Sequence, residues 1–436
     1  MQQVPAGSAS TADAAGPRRS AGYQALVVGL LSLNFGIVFF DRNSLNFLMP
    51  FVQPELGLTD GQVGTVAGIF SFTWALAAFA ISRLSDMVGN RKLLLVLATL
   101  AFSACSFLTG LAASFAMLIG ARVLMGVAEG GVMPISHAIV AAEVEPKWRG
   151  LAQGIAQNFG SNFFGSFVAP VALVALASKY GWQHAFYLAG IPGMISAALI
   201  WFVLDDHAAA PSAAVAAPAA SLQAKKSLAR SLADWGAAVR EVLKVRNIWV
   251  CVAMGIALVA YLVICWAFMP LYLTQNRQFD QTTTSWLMGA LGISATLGSF
   301  SIGGLSDVIG RRPVMIGFSF LAVILPLGAL YYQGSAWGLA AIFFVGWALN
   351  GVFPLFMATV PSESVSPDKA ATVFGLCMGS CEIVGGAGGP ALAGQLSEAF
   401  GRQAPLWLMV GLALIGGIFA LFLHETAPLV LARRKA

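Results

Sequence analysis

Five charged residues lie deep inside apolar stretches of the chain: Asp41, Arg42, Arg122, Glu129 and Glu382. At mid-bilayer depth each costs ~2.5–3.5 kcal/mol on insertion scales, so each needs a partner or a task. Arg122 and Glu129 are seven residues apart. Two helical turns put them on one face, too far apart for a contact of the i, i+4 kind. Asp41 and Arg42 point about 100° apart on a helix, so one can face a cavity while the other meets a neighbouring helix. A carboxyl that loses solvent holds its proton more firmly, and a nearby guanidinium opposes this. Acid and guanidinium together can therefore load and release a proton while the guanidinium engages an anion. The plainer alternative is a set of ion bridges that only fix helix packing.

The elements that must position these residues are membrane helices. The chain of 436 residues is 58% hydrophobic and 10% charged, far below the roughly 25% charge of soluble domains. Apolar runs recur near 22–50, 62–82, 93–112, 115–142, 150–177 and 183–204. Six more follow near 247–273, 285–305, 313–332, 336–360, 371–396 and 404–424. Each is long enough to span a bilayer as a helix, so twelve transmembrane helices are expected in an all-α membrane protein. Residues 1–20 read as a disordered tail, 21–204 as a first six-helix bundle and 205–246 as a cytoplasmic linker. Residues 247–425 form a second bundle, and 426–436 a basic tail. Arg18-Arg19 before the first apolar run is read as the start of an uncleaved helix. The stretch Ser231–Arg246 is basic enough to lie on the membrane surface.

Orientation follows from the basic residues. With the N-terminus inside, nineteen of the 24 Lys and Arg fall in cytoplasmic segments. Lys179, Arg277 and Arg402 fall outside, and Arg42 and Arg122 within helices. This asymmetry predicts cytoplasmic termini in a plasma or bacterial-type inner membrane.

The chain also repeats itself. Ser82-Arg83-Leu84-Ser85-Asp86-Met87-Val88-Gly89-Asn90-Arg91-Lys92 after the second run is echoed by Gly303-Gly304-Leu305-Ser306-Asp307-Val308-Ile309-Gly310-Arg311-Arg312 after the eighth. The two aspartates are 221 residues apart, while Pro134 and Pro354, and Pro170 and Pro390, are 220 apart. Nearly one offset at three landmarks means two pseudosymmetric six-helix bundles. The duplicated G-x-L-x-D-x-x-G-R-R loop resembles the signature of the major facilitator superfamily over residues 22–425. That resemblance implies a central site opened alternately to each side by rocking of the halves. Asp86, Arg91, Asp307 and Arg311 are then expected to gate the cytoplasmic side by hydrogen bonds and counter-charges across the interface. Holding topology is their plainer role.

Asp41-Arg42-x-x-Leu45-x-x-x-x-Pro50 and Arg122-x-x-x-Gly126-x-x-Glu129-x-x-x-x-Pro134 resemble the anion:cation symporter branch of the superfamily. So do Trp266-x-x-x-Pro270-x-Tyr272-Leu273, Pro361-Ser362-Glu363 and Gly181-Trp182-x-x-Ala185-Phe186. The resemblance implies proton-coupled symport of an organic anion such as a carboxylate, sugar acid or aromatic acid. Arg42 would bind the carboxylate, Asp41 and Glu129 would be protonated, and Arg122 would partner Glu129. Trp74 stands where the branch usually has Tyr. Gln153, Gln157 and Asn158, with Asn350 and Glu382 from the second bundle, are polar candidates for the pocket. Phe35, Phe39, Trp74, Tyr261 and Trp266 are aromatic ones. His137 reads as structural.

No cofactor is expected, the energy source being the proton gradient. The partners are the small organic anion, protons and lipid, for a monomer that binds no nucleic acid. The chain has no Gly-Lys dipeptide and hence no phosphate loop. It offers no nucleophile–base set, so an enzyme is not expected. The five cysteines have no metal-ligand spacing and read as packing residues. The alternative to symport is a proton-driven drug or metabolite exporter. The Gly-Pro-x-x-Gly-Gly element usual there is replaced by Phe167-Val168-Ala169-Pro170-Val171-Ala172.

Overall fold

The computed structural model describes residues 20–88, 90–145, 148–205, 236, 239–366 and 369–435. The tail 1–19 and most of the linker lie outside these residues, as does the basic run up to 235. The first half comprises α1 (Ala21–Leu56), α2 (Asp60–Val88), α3 (Arg91–Gly110), α4 (Phe115–Glu143), α5 (Leu151–Tyr180) and α6 (Trp182–Val203). The second comprises α7 (Arg246–Asn276), α8 (Gln281–Ile309), α9 (Arg311–Tyr331), α10 (Ala336–Glu363), α11 (370–400) and α12 (Ala404–Leu421), followed by a short α13 (Pro428–Lys435). Ten of the described helices are long and apolar enough to cross a membrane, and eleven if the bent α8 is one span. The expected count of twelve needs α11 as well, a continuous helical run rich in Gly and interrupted by Glu382.

Local chemistry marks the helix ends. Ser20 caps α1, its hydroxyl accepting from the Tyr23 amide, and Gly57 ends the helix at φ 61°, a conformation glycine adopts without steric cost. Gly181 and Gly401, at φ 88° and 85°, turn the chain between α5 and α6 and between α11 and α12. They are 220 residues apart, so the repeat extends to the backbone of its turns.

Within the first half α3 packs on α6 and α2 on α4. Within the second α7 and α9 pack on α12, and α8 on α10. The halves meet where α2 lies along α11, α5 along α8, and α1 along α7. Under the repeat α2 corresponds to α8 and α11 to α5, so the first two seams are one contact made twice. Small residues permit the approach. A Cβ on Gly292 of α8 would collide with the Ser166–Phe167 backbone, and one on Gly64 of α2 with the Pro390 carbonyl. Helix packing at this range relies on small side chains in a membrane, where apolar burial against lipid gives little drive.

The basic stretch before α7 joins the protein through its last residues. Val242 is buried with Ile248, Val373 and Cys377, and Lys369 reaches Glu241 at 2.6 Å. The five cysteines are free and buried.

Candidate functional site

Several helices depart from α geometry near mid-membrane. α5 is π-helical over Ile155–Phe159 and Phe163–Val168, α11 over Cys381–Gly388 and α10 over Leu355–Thr359. α10 also contains a 3₁₀ turn at Trp347–Val352. Such bulges are rare and concentrate at functional sites, because they re-aim side chains and free backbone groups. Those of α5 and α11 lie where the halves meet. Within the first half Asn43 of α1 meets the second α5 bulge, its amide donating to the Gly165 carbonyl at 3.1 Å.

Together with α1, α2, α4, α7 and α8, the bulged helices line a cavity of about 220 Å³, a volume suited to a small solute. Arg42, Trp74, Arg122, Glu129, Gln157, Asn350 and Glu382 all line it, so the structure gathers eight candidates' worth of chemistry less one. Asp41 is the residue left out: it is fully buried behind α1, where Ser106 Oγ donates to its Oδ1 at 2.6 Å. Adjacent residues of α1 thus point one into the cavity and the other into the α3 face.

Arg42 is the accessible cation. Its guanidinium carbon stands 5.3 Å from the Phe39 ring centroid, 4.8 Å from Phe70 and 5.2 Å from Trp74. Three aromatic rings hold the guanidinium by cation–π attraction without consuming its hydrogen-bond donors. Among the described residues no carboxylate oxygen is placed within 4 Å of it, although Glu129 and Glu382 both lie within its electrostatic reach.

Arg122 and Glu129 share the cavity but not a bond. Arg122 is 2% exposed and donates from Nη1 to the Arg42 carbonyl at 3.4 Å, leaving Nε and Nη2 unpaired. Both Glu129 oxygens are buried without a hydrogen-bond partner. The expected Arg122–Glu129 pair is therefore not formed here, since two turns of α4 hold the groups apart. Asp41 is Arg122's foremost electrostatic partner. Tyr261 is also not a lining residue: its hydroxyl donates to the Ala322 carbonyl at 2.8 Å within the second half. Gln153 likewise does not line the cavity, whereas Gln157 and Asn158, one turn on, do. Phe35, Phe39 and Trp266 line it as well.

Composition-based reasoning overlooked the small polar groups. Asn162 donates to Ser299 Oγ at 3.1 Å across the α5–α8 seam, and both line the cavity with Ser71 and Asn43. A signal existed for Asn162, which stands 220 residues before Glu382.

The loop motif behaves differently from its expectation. Arg311 pairs with Asp307 at 2.6 Å and Glu363 at 3.0 Å, all within the second half, rather than across the interface. Glu425 accepts from the Arg311 and Arg312 amides at 2.8 and 3.2 Å, capping α9 and tying the chain end to the motif. Asp86 falls outside the residues whose side chains are described, and Arg91 opens α3 beside its cap Asn90.

Among the described residues, side-chain contacts across the halves gather at the end bearing the α1–α2 and α11–α12 loops. Asp60 accepts from Ser397 Oγ at 2.6 Å and from Arg402 Nε at 3.3 Å. The Gly61 amide donates to Glu398 at 2.9 Å, and Gln275 donates to Gln53 at 3.1 Å. These bonds join the two halves at that end. Behind them Trp182 Nε1 and Gln183 each donate to Glu55 at 2.6 Å, joining α6 to α1.

Two helical repeats around a midplane cavity with buried charges define a multi-pass membrane transporter. The chain belongs to the Major Facilitator Superfamily, matching it over residues 31–378 and 262–435, and it resembles the anion:cation symporter branch. It is 27% identical to a probable sulfoacetate transporter of Cupriavidus necator, covering 92% of this chain and 93% of that one. It is 28% identical to a probable 4-methylmuconolactone transporter of Cupriavidus pinatubonensis, covering 88% and 86%. The fold is also that of a bacterial homolog of the human lysosomal transporter Spinster in an inward-facing, occupied conformation. There the TM-score is 0.70 at 21% identity, covering 96% of this chain and 98% of that one.

Proposed function

We propose that the protein is a proton-coupled symporter that imports a small organic anion across a bacterial-type inner membrane, with both termini in the cytoplasm. The observation that carries the reading is Arg42, a cavity guanidinium braced by three rings and, among the described residues, unmatched by any carboxylate within bonding distance. A cation so placed attracts an acid and repels a lipophilic cation, which favours anion import over drug export. Relatives named for sulfoacetate and 4-methylmuconolactone transport support a small acidic cargo.

In this reading Arg42 takes the cargo's acid group, while Trp74, Gln157, Asn350 and Glu382 contact the rest of it. Glu129 carries the coupled proton. With both oxygens buried and unpaired, its ionised form is costly until Arg122 or solvent reaches it, so loading of the proton and closure of the cavity favour one another. Asp41 is the second protonation site, reached through Arg122 rather than from the cavity. The proton gradient supplies the energy, and the chain acts as a monomer. In this reading the end joined by the Asp60, Gly61 and Gln275 bonds is closed and faces outward, and the Asp86, Arg91, Asp307 and Arg311 loops gate the cytoplasmic end.

Thermal-shift screening of the purified protein against carboxylates and sulfonates, with Arg42→Ala as control, tests this. Stabilisation by an acid that disappears in the variant is expected. Stabilisation only by lipophilic cations or neutral drugs, indifferent to Arg42, would assign the protein to the exporters.

A further inference from the structure

We infer that Glu382 is a filter against dianions: the cargo is a monoanion whose far end offers Glu382 a hydrogen-bond donor, such as a hydroxyl. The inference rests on the reading of the cavity as an organic-anion site and goes further by naming the kind of acid.

The cavity is asymmetric in charge. Both of its cations, Arg42 and Arg122, come from the first half, and Glu382 is the sole charged residue that the second half contributes to its lining among the described residues. Arg122 is 2% exposed and turned toward the Arg42 carbonyl, so Arg42 alone presents an open guanidinium. An acid held by Arg42 and extending toward the second half brings its far end to Glu382.

Glu382 is built for such a partner. It is 7% exposed, lines the cavity, and its Oε2 has no hydrogen-bond partner. It sits on the α2–α11 seam, where a Cβ on Gly386 would come 2.8 Å from Oε2 and 3.3 Å from Ser71 Oγ. The missing side chain at Gly386 makes room for the carboxylate. The repeat supplies a control. Asn162 lies eight residues before Pro170, as Glu382 lies eight before Pro390. At that equivalent place Asn162 donates to Ser299 and satisfies its amide inside the protein. The filter acts through ionised Glu382, for which Arg42 is the open counter-charge in the cavity. An ionised carboxylate has only acceptors, offered to a cargo in the cavity that Glu382 lines. A hydroxyl or ammonium satisfies it, whereas a second carboxylate or sulfonate meets a like charge.

Matched pairs test the filter. Isethionate and sulfoacetate differ in an alcohol against a carboxylate, as do 4-hydroxybutyrate and succinate. Binding of each is measured on the full-length protein, by thermal shift and by competition, for wild type, Glu382→Gln and Glu382→Asp. Wild type is expected to favour the hydroxy acid of each pair by about tenfold or more. Glu382→Gln should bring the dianion level with its partner by gaining affinity for it, and Glu382→Asp should keep the preference. Equal binding of both members by wild type overturns the filter, and so does a ratio unchanged by Glu382→Gln. The wild-type ratio decides the matter even where a variant fails to fold. If no acid of either kind binds and Arg42→Ala matches wild type, the anion reading itself fails and the filter falls with it.

Discussion

The two halves of this transporter place equivalent residues at equivalent depths and give them different work. At the repeat spacing of 220, Arg42 corresponds to Leu262, Arg122 to Ile342 and Glu129 to Leu349. Arg42 and Leu262 both line the cavity, so the backbone symmetry holds where the chemistry does not. Asp41 corresponds to Tyr261, and each is fully buried and bonded inside its own half, to Ser106 and to the Ala322 carbonyl. The first half has concentrated the charges and most of the amides, and the second supplies Asn350, Ser299, the rings of Trp266 and Phe353, and one carboxylate. A midplane site between two rocking bundles needs only one of them to carry the expensive ionic groups. The other can offer a cheaper surface that closes against the cargo.

The largest effect should come from removing the feature that the halves do not share. Arg42→Ala is expected to lower anion uptake in proteoliposomes by about a hundredfold, the loss of a charge-assisted contact. Leu262→Ala, its counterpart, should cost only a fewfold. Equal losses at the two positions would break the comparison. Glu129→Gln follows. The variant should still exchange labelled anion for unlabelled anion but lose accumulation driven by an imposed pH gradient. Accumulation at the wild-type level would remove Glu129 from the coupling role. Leu349→Gln, the counterpart change, should leave gradient-driven accumulation in place.

The extent to which this was legible in sequence differs by kind of feature. The spans, the repeat and the family emerge from apolar periodicity, a constant offset and one loop motif, because a membrane forces long apolar helices and duplication leaves spacing intact. Most candidate site residues were also legible, since a charge inside an apolar run is conspicuous. Which way each charge points was not. Asp41 and Arg42 are neighbours, and only the placement of α3 and its Ser106 decides that Asp41 turns away from the cavity. The missing Arg122–Glu129 contact depends on the geometry of α4, and the π-helical bulges in α5, α10 and α11 have no compositional mark. Asn162 and Ser299 were passed over because polar residues in membrane bundles commonly just join helices; here they join the two halves.

Gly64 gives a mid-sized test of the seams. A Cβ there meets the Pro390 carbonyl, so Gly64→Leu should hold α2 away from α11 and keep the closed end ajar. Transport is expected to fall about tenfold, while a thiol-labelling probe at that end, introduced by Gln275→Cys, gains reactivity. Gly303 has open space around its Cα, and Gly303→Ala in α8 should leave both readouts where they are. Labelling that is insensitive to Gly64→Leu would mean that the α2–α11 seam does not control access.

The smallest effects separate Asp60 from its counterpart 220 residues on, Asp280. Both stand at the start of equivalent helices. Asp60 reaches across the halves to Ser397 and Arg402, while Asp280 accepts from the Thr283 amide at 2.8 Å and its hydroxyl at 2.6 Å, capping its own helix. The Thr283 bonds hold the Asp280 carboxyl below its ordinary value of 3.8. A carboxyl depressed in the folded protein adds stability above its unfolded pKa, and that stability is lost as pH falls through the folded value. Asp280→Ala should therefore cost about 1 kcal/mol of stability near neutral pH, a typical cap, and little in strong acid. Asp280→Asn should retain the cap with no such pH dependence. Neither change should alter access to the cavity. Asp60→Ala should cost no more than about 1 kcal/mol, because Arg402 is well exposed and a screened pair contributes little. It should nevertheless raise labelling of the Gln275→Cys probe, because the bond it removes joins the two halves. If Asp280→Ala raises that labelling as much as Asp60→Ala does, both aspartates act through helix stability, and the division between a joining residue and a capping residue is wrong.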